Sequence, residues 1–200
     1  MSETAATGTV LTPERILEAA EDVLRRYGPA KATVVDVARA LGVSHGSVYR
    51  HFASKADLRD AVAERWLKRV SQPLAEVADG DMPAPERLRA WLELLVATKR
   101  SKVLDDPELF ATYHQLAAGA RDVVAAHVGE LARQLGRIVA DGADRGEFET
   151  DDPAAAGRAV LDATARFHNP ANAAEWSDPG IDEAFEGVWI LLLDGLRSRA

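Results

Sequence analysis

The sequence predicts an all-α chain of about nine helices: an N-terminal three-helix domain containing a helix-turn-helix, followed by a larger C-terminal helical domain. Three observations predict it. Apolar residues recur at intervals of three and four along most of the chain, the spacing that lines one face of an α-helix. Capping residues, glycines and prolines interrupt that pattern at Thr12-Pro13, Gly28-Pro29, Gly42, Gly80 to Pro85, Asp106-Pro107, Gly146, Asp152-Pro153 and Pro179-Gly180. No alternating strand pattern, internal repeat or low-complexity run beyond the alanine-rich helices competes with it.

Residues 1–11 are small and polar without periodicity and read as a flexible tail, with no Lys or Arg before Arg15 to give it a contact role. Thr12 caps the first helix and Pro13 takes its first position. Its stripe is Ile16, Ala20, Val23, Leu24 and Tyr27, and Gly28-Pro29 stops it. Thr33 is an N-cap and Asp36, three residues on, completes a capping-box pattern for a second helix with Val34, Val37, Ala38 and Leu41 inward. Gly42 supplies the left-handed residue that ends this helix, and Val43 plugs the turn. Ser44 then caps a third helix anchored by Val48 and Phe52. Two short helices about a glycine turn make a helix-turn-helix.

Ser54 and Asp57 open a fourth helix that runs to about Ala78 with Leu58, Ala61, Val62, Trp66 and Val70 inward, joining a domain at 12–55 to one at 56–200. Beyond Pro85 a helix carries Leu88, Trp91, Leu92 and Leu95. A short one carries Leu109, Phe110, Tyr113 and Leu116, and a long one, from about Arg121 to Arg145, carries Val124, Val128, Leu131, Leu135, Ile138 and Val139. From Asp152-Pro153 a helix with mostly small inner residues, Ala156, Ala159, Val160, Ala163 and Phe167, continues to His168-Asn169-Pro170, where the residue before proline avoids helical geometry. A loop through Asn172 and Trp176 leads to the last helix, whose face is Ile181, Phe185, Val188, Trp189, Leu192 and Leu196.

With Val48 and Phe52 inward, the third helix turns Ser44, His45, Ser47, Tyr49, Arg50 and His51 outward, and no carboxylate lies between Ser44 and Lys55. Hydroxyls, imidazoles and guanidinium groups donate to phosphates or base edges, which acidic side chains would repel. Gly46 leaves the face low enough to approach a groove, and Lys55 stands in the first turn of the fourth helix beside its unpaired amides. The net charge of −8 does not oppose this, because residues 1–60 sum to zero and all the excess acid lies in residues 61–200. From Lys31 to Lys55 four cations face only Asp36. An acidic body with a locally basic end orients a protein on a polyanion and limits non-specific coating.

The segment from about Thr12 to Trp66 resembles the DNA-binding domain of the TetR/AcrR family of bacterial transcriptional regulators. The matching features are ILEAAEDVLRRYG, T-x-x-D-V-A, L-G-V-S-x-G-S-V-Y-x-H-F and S-K-x-D-L. The resemblance implies that Thr33, Tyr49, His51 and Lys55 touch the DNA backbone and that His45, Gly46 and Ser47 approach base edges. It also implies a small-molecule effector pocket between helices 4 to 8, and a double-stranded DNA operator as partner. The candidate DNA-binding set is therefore Thr33, Ser44, His45, Gly46, Ser47, Tyr49, Arg50, His51 and Lys55.

In the second domain an aromatic and polar set, Trp66, Trp91, Phe110, Tyr113, His127, Phe167 and His168, is spread over several helices. If these surround a cavity, they suit a mostly apolar ligand held by a few hydrogen bonds. The last helix is apolar nearly all round. A second copy of the chain is the expected cover, through Ala156, Ala159, Val160, Ala163, Val188, Leu191, Leu192 and Gly195 in a four-helix bundle across a two-fold axis.

Several classes of chemistry lack their residues. With no cysteine there is no disulfide or thiol chemistry, and phosphate loops, nucleophile elbows, His-Glu-x-x-His pairs and metal-spaced carboxylates are missing. No cofactor and no enzymatic activity are expected. The longest wholly apolar run is the six residues from Val188 to Leu193, far short of a membrane span, so no membrane partner and a cytoplasmic location are expected. The sequence thus points to a dimeric regulator, most simply a repressor released by a small molecule. Two alternatives stay open at this point: an architectural DNA-binding protein without an effector, and a helical enzyme centred on His114 or His168.

Overall fold

A computed structural model describes residues 10–197, so most of the tail expected at the N-terminus lies outside the described residues. The elements are α1 (Pro13–Lys31), α2 (Val34–Leu41), α3 (His45–Tyr49), α4 (Lys55–Ala78), α5 (Ala84–Asp105), α6 (Pro107–Gly119), α7 (Arg121–Asp144), α8 (Pro153–Ala163), α9 (Ala165–His168) and α10 (Ile181–Leu196), with a 3-10 turn at Pro170–Glu175 between the last two. No strand occurs among the described residues.

The chain divides into two compact units, one ending at Ala63 and the other beginning at Glu64. The division falls inside α4 rather than at its first residue, because Leu58 and Val62 are buried in the first unit's core and make the start of α4 part of it. That core also takes Ile16, Ala20, Val23 and Leu24 from α1, Val34, Val37 and Ala38 from α2, and Val48 from α3. Gly28 breaks helical geometry with φ +73°, after which one further turn follows to Lys31. The capping box of α2 is closed and Gly42, at φ +68°, ends that helix in the left-handed region.

In the second unit α5 and α7 are the central pair. Leu88, Trp91, Leu92 and Leu95 on α5 and Leu135, Ile138 and Val139 on α7 are completely buried, and α4, α8, α9 and α10 add Leu74, Val160, Phe167 and Trp189 around them. Asp106 and Asp152 cap α6 and α8 through the main-chain N–H groups of Leu109 and Ala155, each at 2.9 Å. Helix α5 has no such side chain at its start. Instead the carboxylate of Glu147, distant in sequence, accepts from the Ala84 N–H at 2.6 Å. The buried Arg87 guanidinium donates to Ala78 O at 3.0 Å and pairs with Asp141, tying the start of α5 to α4 and α7.

The helix expected to run from Pro153 to His168 is broken in two. The Thr164 hydroxyl, fully buried, donates to Val160 O at 2.8 Å, and the residue takes φ −93°, ψ 3°, so α8 ends and α9 starts there. The stretch expected as a loop through Asn172 is the 3-10 turn, capped by Asn169.

Candidate nucleic-acid interface and ligand cavity

Helix α3 is five residues long, with Ser44 as its cap, and Val48 is its one fully buried side chain. The outward residues fall into two lines at helical spacing. In one, Ser44 Oγ accepts from the Ser47 N–H at 3.2 Å and shares a 2.9 Å hydrogen bond with Ser47 Oγ, which accepts from Arg50 Nη2 at 3.2 Å. In the other, the His45 and Tyr49 rings meet edge to face with centroids 6.3 Å apart. Ser44, His45, Gly46, Tyr49, Arg50 and His51 are exposed and Ser47 is half-buried. A Cβ placed on Gly46 would meet nothing nearer than Ser44 Oγ at 3.8 Å, so the fold itself makes no steric demand for glycine there.

Thr33 and Lys55 border one small apolar cleft of the first unit, together with residues of α1, α2 and α4. Their chemistry differs. The Thr33 hydroxyl donates to Asp36 Oδ2 at 2.6 Å, and the Thr33 N–H donates to the same oxygen at 3.2 Å. This bond, with the backbone bond and Arg39 beside it, holds the Asp36 carboxyl below its ordinary pKa. With its proton committed, Thr33 has no hydrogen to offer a phosphate while the capping box stays closed. Lys55 is exposed, and Ser54 Oγ accepts from the Asp57 N–H at 3.0 Å to cap α4.

The second unit holds a cavity of about 480 Å³. Its floor is made by buried residues, Trp66 and Leu67 of α4, Lys99 of α5, Leu131 of α7, Leu161 of α8 and His168 of α9. Exposed residues mark its mouth: His114, Ala118, Arg121, Ala125, Asp162 and Asn169. The lining is mostly apolar, with a few polar groups converging on it, as ligand sites generally are.

Of the seven residues expected to form this pocket, Trp66, His127 and His168 line it. Tyr113, 2% exposed, stacks behind Trp66 with ring centroids 4.9 Å apart and planes 2° from parallel, and Phe110 stacks on His114, which is the lining residue. Trp91 and Phe167 belong to the core instead. Trp91 is completely buried, with its indole N–H donated to Gln134 Oε1 at 3.0 Å, and Phe167 packs edge to face on Phe185 at 5.3 Å. Helical spacing places a side chain inward without distinguishing a cavity wall from solid packing.

Lys99 is the residue that sequence reasoning missed. It follows Leu92, Leu95 and Val96 at helical spacing, so its place on the buried stripe of α5 was open to view as a cation out of pattern. It is 5% exposed, and its ammonium lies 5.7 Å from the centre of the Trp66 ring. Burial, and then the neighbouring Lys102 charge, lowers its pKa to about 8. Burial followed by the Lys99 charge lowers His127 to about 4, so its imidazole is neutral, and His127 Nε2 is buried without a hydrogen-bond partner. His168 is lowered to about 4, chiefly by burial, and its Nε2 is engaged with Leu161 O at 3.2 Å and Thr164 Oγ1 at 3.3 Å. Asp162 at the mouth is already paired with Arg158 at 2.9 Å. Among the described residues no group of three or more His, Asp or Glu could hold a metal ion, and no helix is long and apolar enough to cross a membrane.

The residues expected at a dimer face divide by burial. Ala159, Ala163, Leu191 and Gly195 are exposed, with Leu191 at 74%, while Ala156, Val188 and Leu192 are half-buried. Val160 is 1% exposed and belongs to the subunit's own core. The close helix approach anticipated from the small residues of α8 is made within the chain, at Gly157, which is not among those residues: a Cβ on it would lie 2.7 Å from Gly136 Cα of α7. Ile190, 55% exposed, is the other large apolar residue bared on α10.

Residues 16–62 match the family model described as bacterial regulatory proteins, tetR family, and residues 84–189 match the tetracyclin repressor-like C-terminal domain. Among curated proteins, the chain is 31% identical over 140 residues to the uncharacterized HTH-type transcriptional regulator Rv1255c of Mycobacterium tuberculosis, covering 66% of this chain and 67% of that protein. It is 31% identical over 132 residues to the HTH-type transcriptional repressor BepR of Brucella suis, covering 64% and 57%. The solved structure of SmeT, the repressor of the Stenotrophomonas maltophilia multidrug efflux pump SmeDEF, shares its fold with a TM-score of 0.67 at 19% identity, covering 96% of this chain and 94% of that one. With an N-terminal helix-turn-helix and a C-terminal domain that both match, the chain belongs to the TetR family of DNA-binding transcriptional regulators.

Proposed function

We propose that the protein is a homodimeric repressor that leaves its operator when a small molecule enters the cavity of the second unit. The observation that carries the reading is the composition of α3 with the residues that flank it, Ser44 to His51: hydroxyl, imidazole, phenol and guanidinium groups face outward and no carboxylate is among them. In this reading His45, Gly46 and Ser47 approach base edges in a major groove. Tyr49, Arg50, His51 and Lys55 meet phosphates, Ser44 caps the reading helix, and Thr33 sets the start of α2. Two copies would read half-sites about one helical turn apart, roughly 34–36 Å.

The dimer is supported by the apolar surface on α10, Ile190 and Leu191, with the exposed small residues Ala159 and Ala163 of α8 as partners across a two-fold axis. Release is supported by a cavity whose lining includes a buried imidazole nitrogen, His127 Nε2, with no hydrogen-bond partner among the described residues. The sign of regulation is taken from relatives named as repressors, BepR and SmeT. A ligand that binds one of two conformations better than the other, while DNA prefers the second, weakens DNA binding through that difference alone. A cytoplasmic, non-enzymatic role follows from the same reading.

Fluorescence anisotropy with the DNA upstream of the protein's own gene tests it, alongside sedimentation of the free protein and the complex. Two chains per site and salt-sensitive binding well above that of shuffled duplex are expected. A monomer in both states, or equal affinity for both duplexes, would overturn it.

A further inference from the structure

Resting on the ligand-responsive reading above, the chemistry of the cavity floor narrows the class of ligand. A buried charge destabilises a fold unless an opposite charge or hydrogen bonds compensate it, and an apolar residue of similar size is generally the more stable choice. Lys99 breaks that rule. It is 5% exposed, its charged neighbour is Lys102, the imidazoles of His127 and His168 near it are neutral, and the one carboxylate in the cavity lining, Asp162, is at the mouth and paired with Arg158. The Trp66 face 5.7 Å away compensates it in part. Beside it His127 Nε2 has no partner, whereas His168 Nε2 already has two.

The lining therefore holds an ammonium with no anion beside it and, on half-buried His127, a neutral imidazole nitrogen without a hydrogen-bond partner. Leu67, Val128, Leu131 and Leu161 form an apolar wall around them. We infer that the cavity binds an apolar monoanion, its carboxylate received by Lys99 Nζ and His127 Nε2, and its hydrocarbon or aryl body lying against that wall. A cation would meet the ammonium with no carboxylate to offset it. A phosphate or other dianion would need more donors than the floor provides, the one further cation, Arg121, being at the exposed rim. An uncharged ligand would leave the ammonium as uncompensated as before. With its pKa near 8, Lys99 is mostly charged at neutral pH, and an anion beside it would raise that fraction.

Calorimetric titration of the full chain with decanoate and 4-phenylbutyrate, against decanol, 4-phenylbutanol and decylamine, tests this directly. The carboxylates are expected to bind about tenfold or more tightly than the matched alcohols, and decylamine not to bind. In Lys99→Met the carboxylate should lose that advantage while alcohol binding stays or improves, and Lys99→Arg should keep it. Alcohols binding the wild type as tightly as carboxylates, an undiminished preference in Lys99→Met, or no carboxylate binding at all would overturn the inference. Operator affinity with and without each compound separates the two readings. Carboxylate binding that leaves DNA affinity unchanged upholds the inference and overturns ligand release, whereas release by the alcohols at equal or lower concentration upholds ligand release and overturns the inference.

Discussion

The indole N–H of Trp91 on α5 donates a 3.0 Å hydrogen bond to Oε1 of Gln134 on α7, and both side chains are almost wholly out of water. The Gln134 amide nitrogen reaches on to Ser71 O at 3.1 Å and Glu130 Oε1 at 2.8 Å, so one amide links three helices through the core. Gln134→Leu strands the indole donor, which costs about 1–3 kcal/mol where no water can reach. Urea unfolding should show that loss. Combining it with Trp91→Phe should cost less than the two single changes added, since the second removes the stranded group, and strict additivity would mean that the bond carries no coupling.

Helices α7 and α8 pack with glycine against glycine. A methyl group on Gly157 would fall 2.7 Å from Gly136 Cα, backbone that cannot rotate aside, so Gly157→Ala is expected to destabilise by about 1–3 kcal/mol. Gly129, also on α7, has nothing within 4 Å of the corresponding position. Gly129→Ala should therefore stabilise by roughly 0.5–1 kcal/mol through helix propensity. Opposite shifts of melting temperature check the pair, and a neutral Gly157→Ala would contradict the close approach.

Stability should rise on the alkaline side because of Lys99. Its folded pKa is about 8 against 10.5 for the free side chain, so between those values the unfolded chain holds the extra proton and folding is favoured increasingly as pH rises. The full effect would be about 3 kcal/mol from the size of the shift, and Lys99→Met should lack it while being the more stable protein at pH 7. His127 and His168 act at the acid end. Both are held near 4 against an ordinary 6.5, so stability should fall as pH drops through that interval. The other ionisable groups lining the cavity, His114, Arg121 and Asp162, are common to wild type and Lys99→Met, so the difference between the two curves isolates the lysine. A difference that does not vary from pH 8 to 10.5 would contradict the burial of its charge.

The helix-turn-helix was legible in the sequence because its signals are local. Thr33 with Asp36, Gly42 and Ser44 each act within a few residues, and all occupy the geometry their spacing implies. The cavity was legible only in part. Trp66, His127 and His168 share it with Lys99 through contacts among α4, α5, α7 and α9 that no spacing along the chain encodes, and Trp91, on an equally regular stripe, fills solid core. The split of the eighth helix at Thr164 turns on a hydroxyl bonding back to Val160 O. Threonine inside a helical pattern permits that bond without requiring it.

Gly46 separates folding from recognition. A methyl group there meets no atom closer than 3.8 Å, so Gly46→Ala should fold as well as the wild type or slightly better. On a face that enters a groove the same methyl should weaken operator binding on the order of tenfold. Thermal melting and anisotropy on one preparation read both quantities, and unchanged DNA affinity would remove α3 from the interface.

Hydroxyl-radical footprinting of the full-length protein on a site obtained by binding selection is the most direct test of two α3 helices reading one duplex. Two protected patches on one face of the DNA, centred about 34–36 Å apart, are expected, with selected bases changing for His45→Ala and Ser47→Ala and protection merely weakening for Lys55→Ala. A single patch, or the same selected sequence from wild type, His45→Ala and Ser47→Ala, would contradict it.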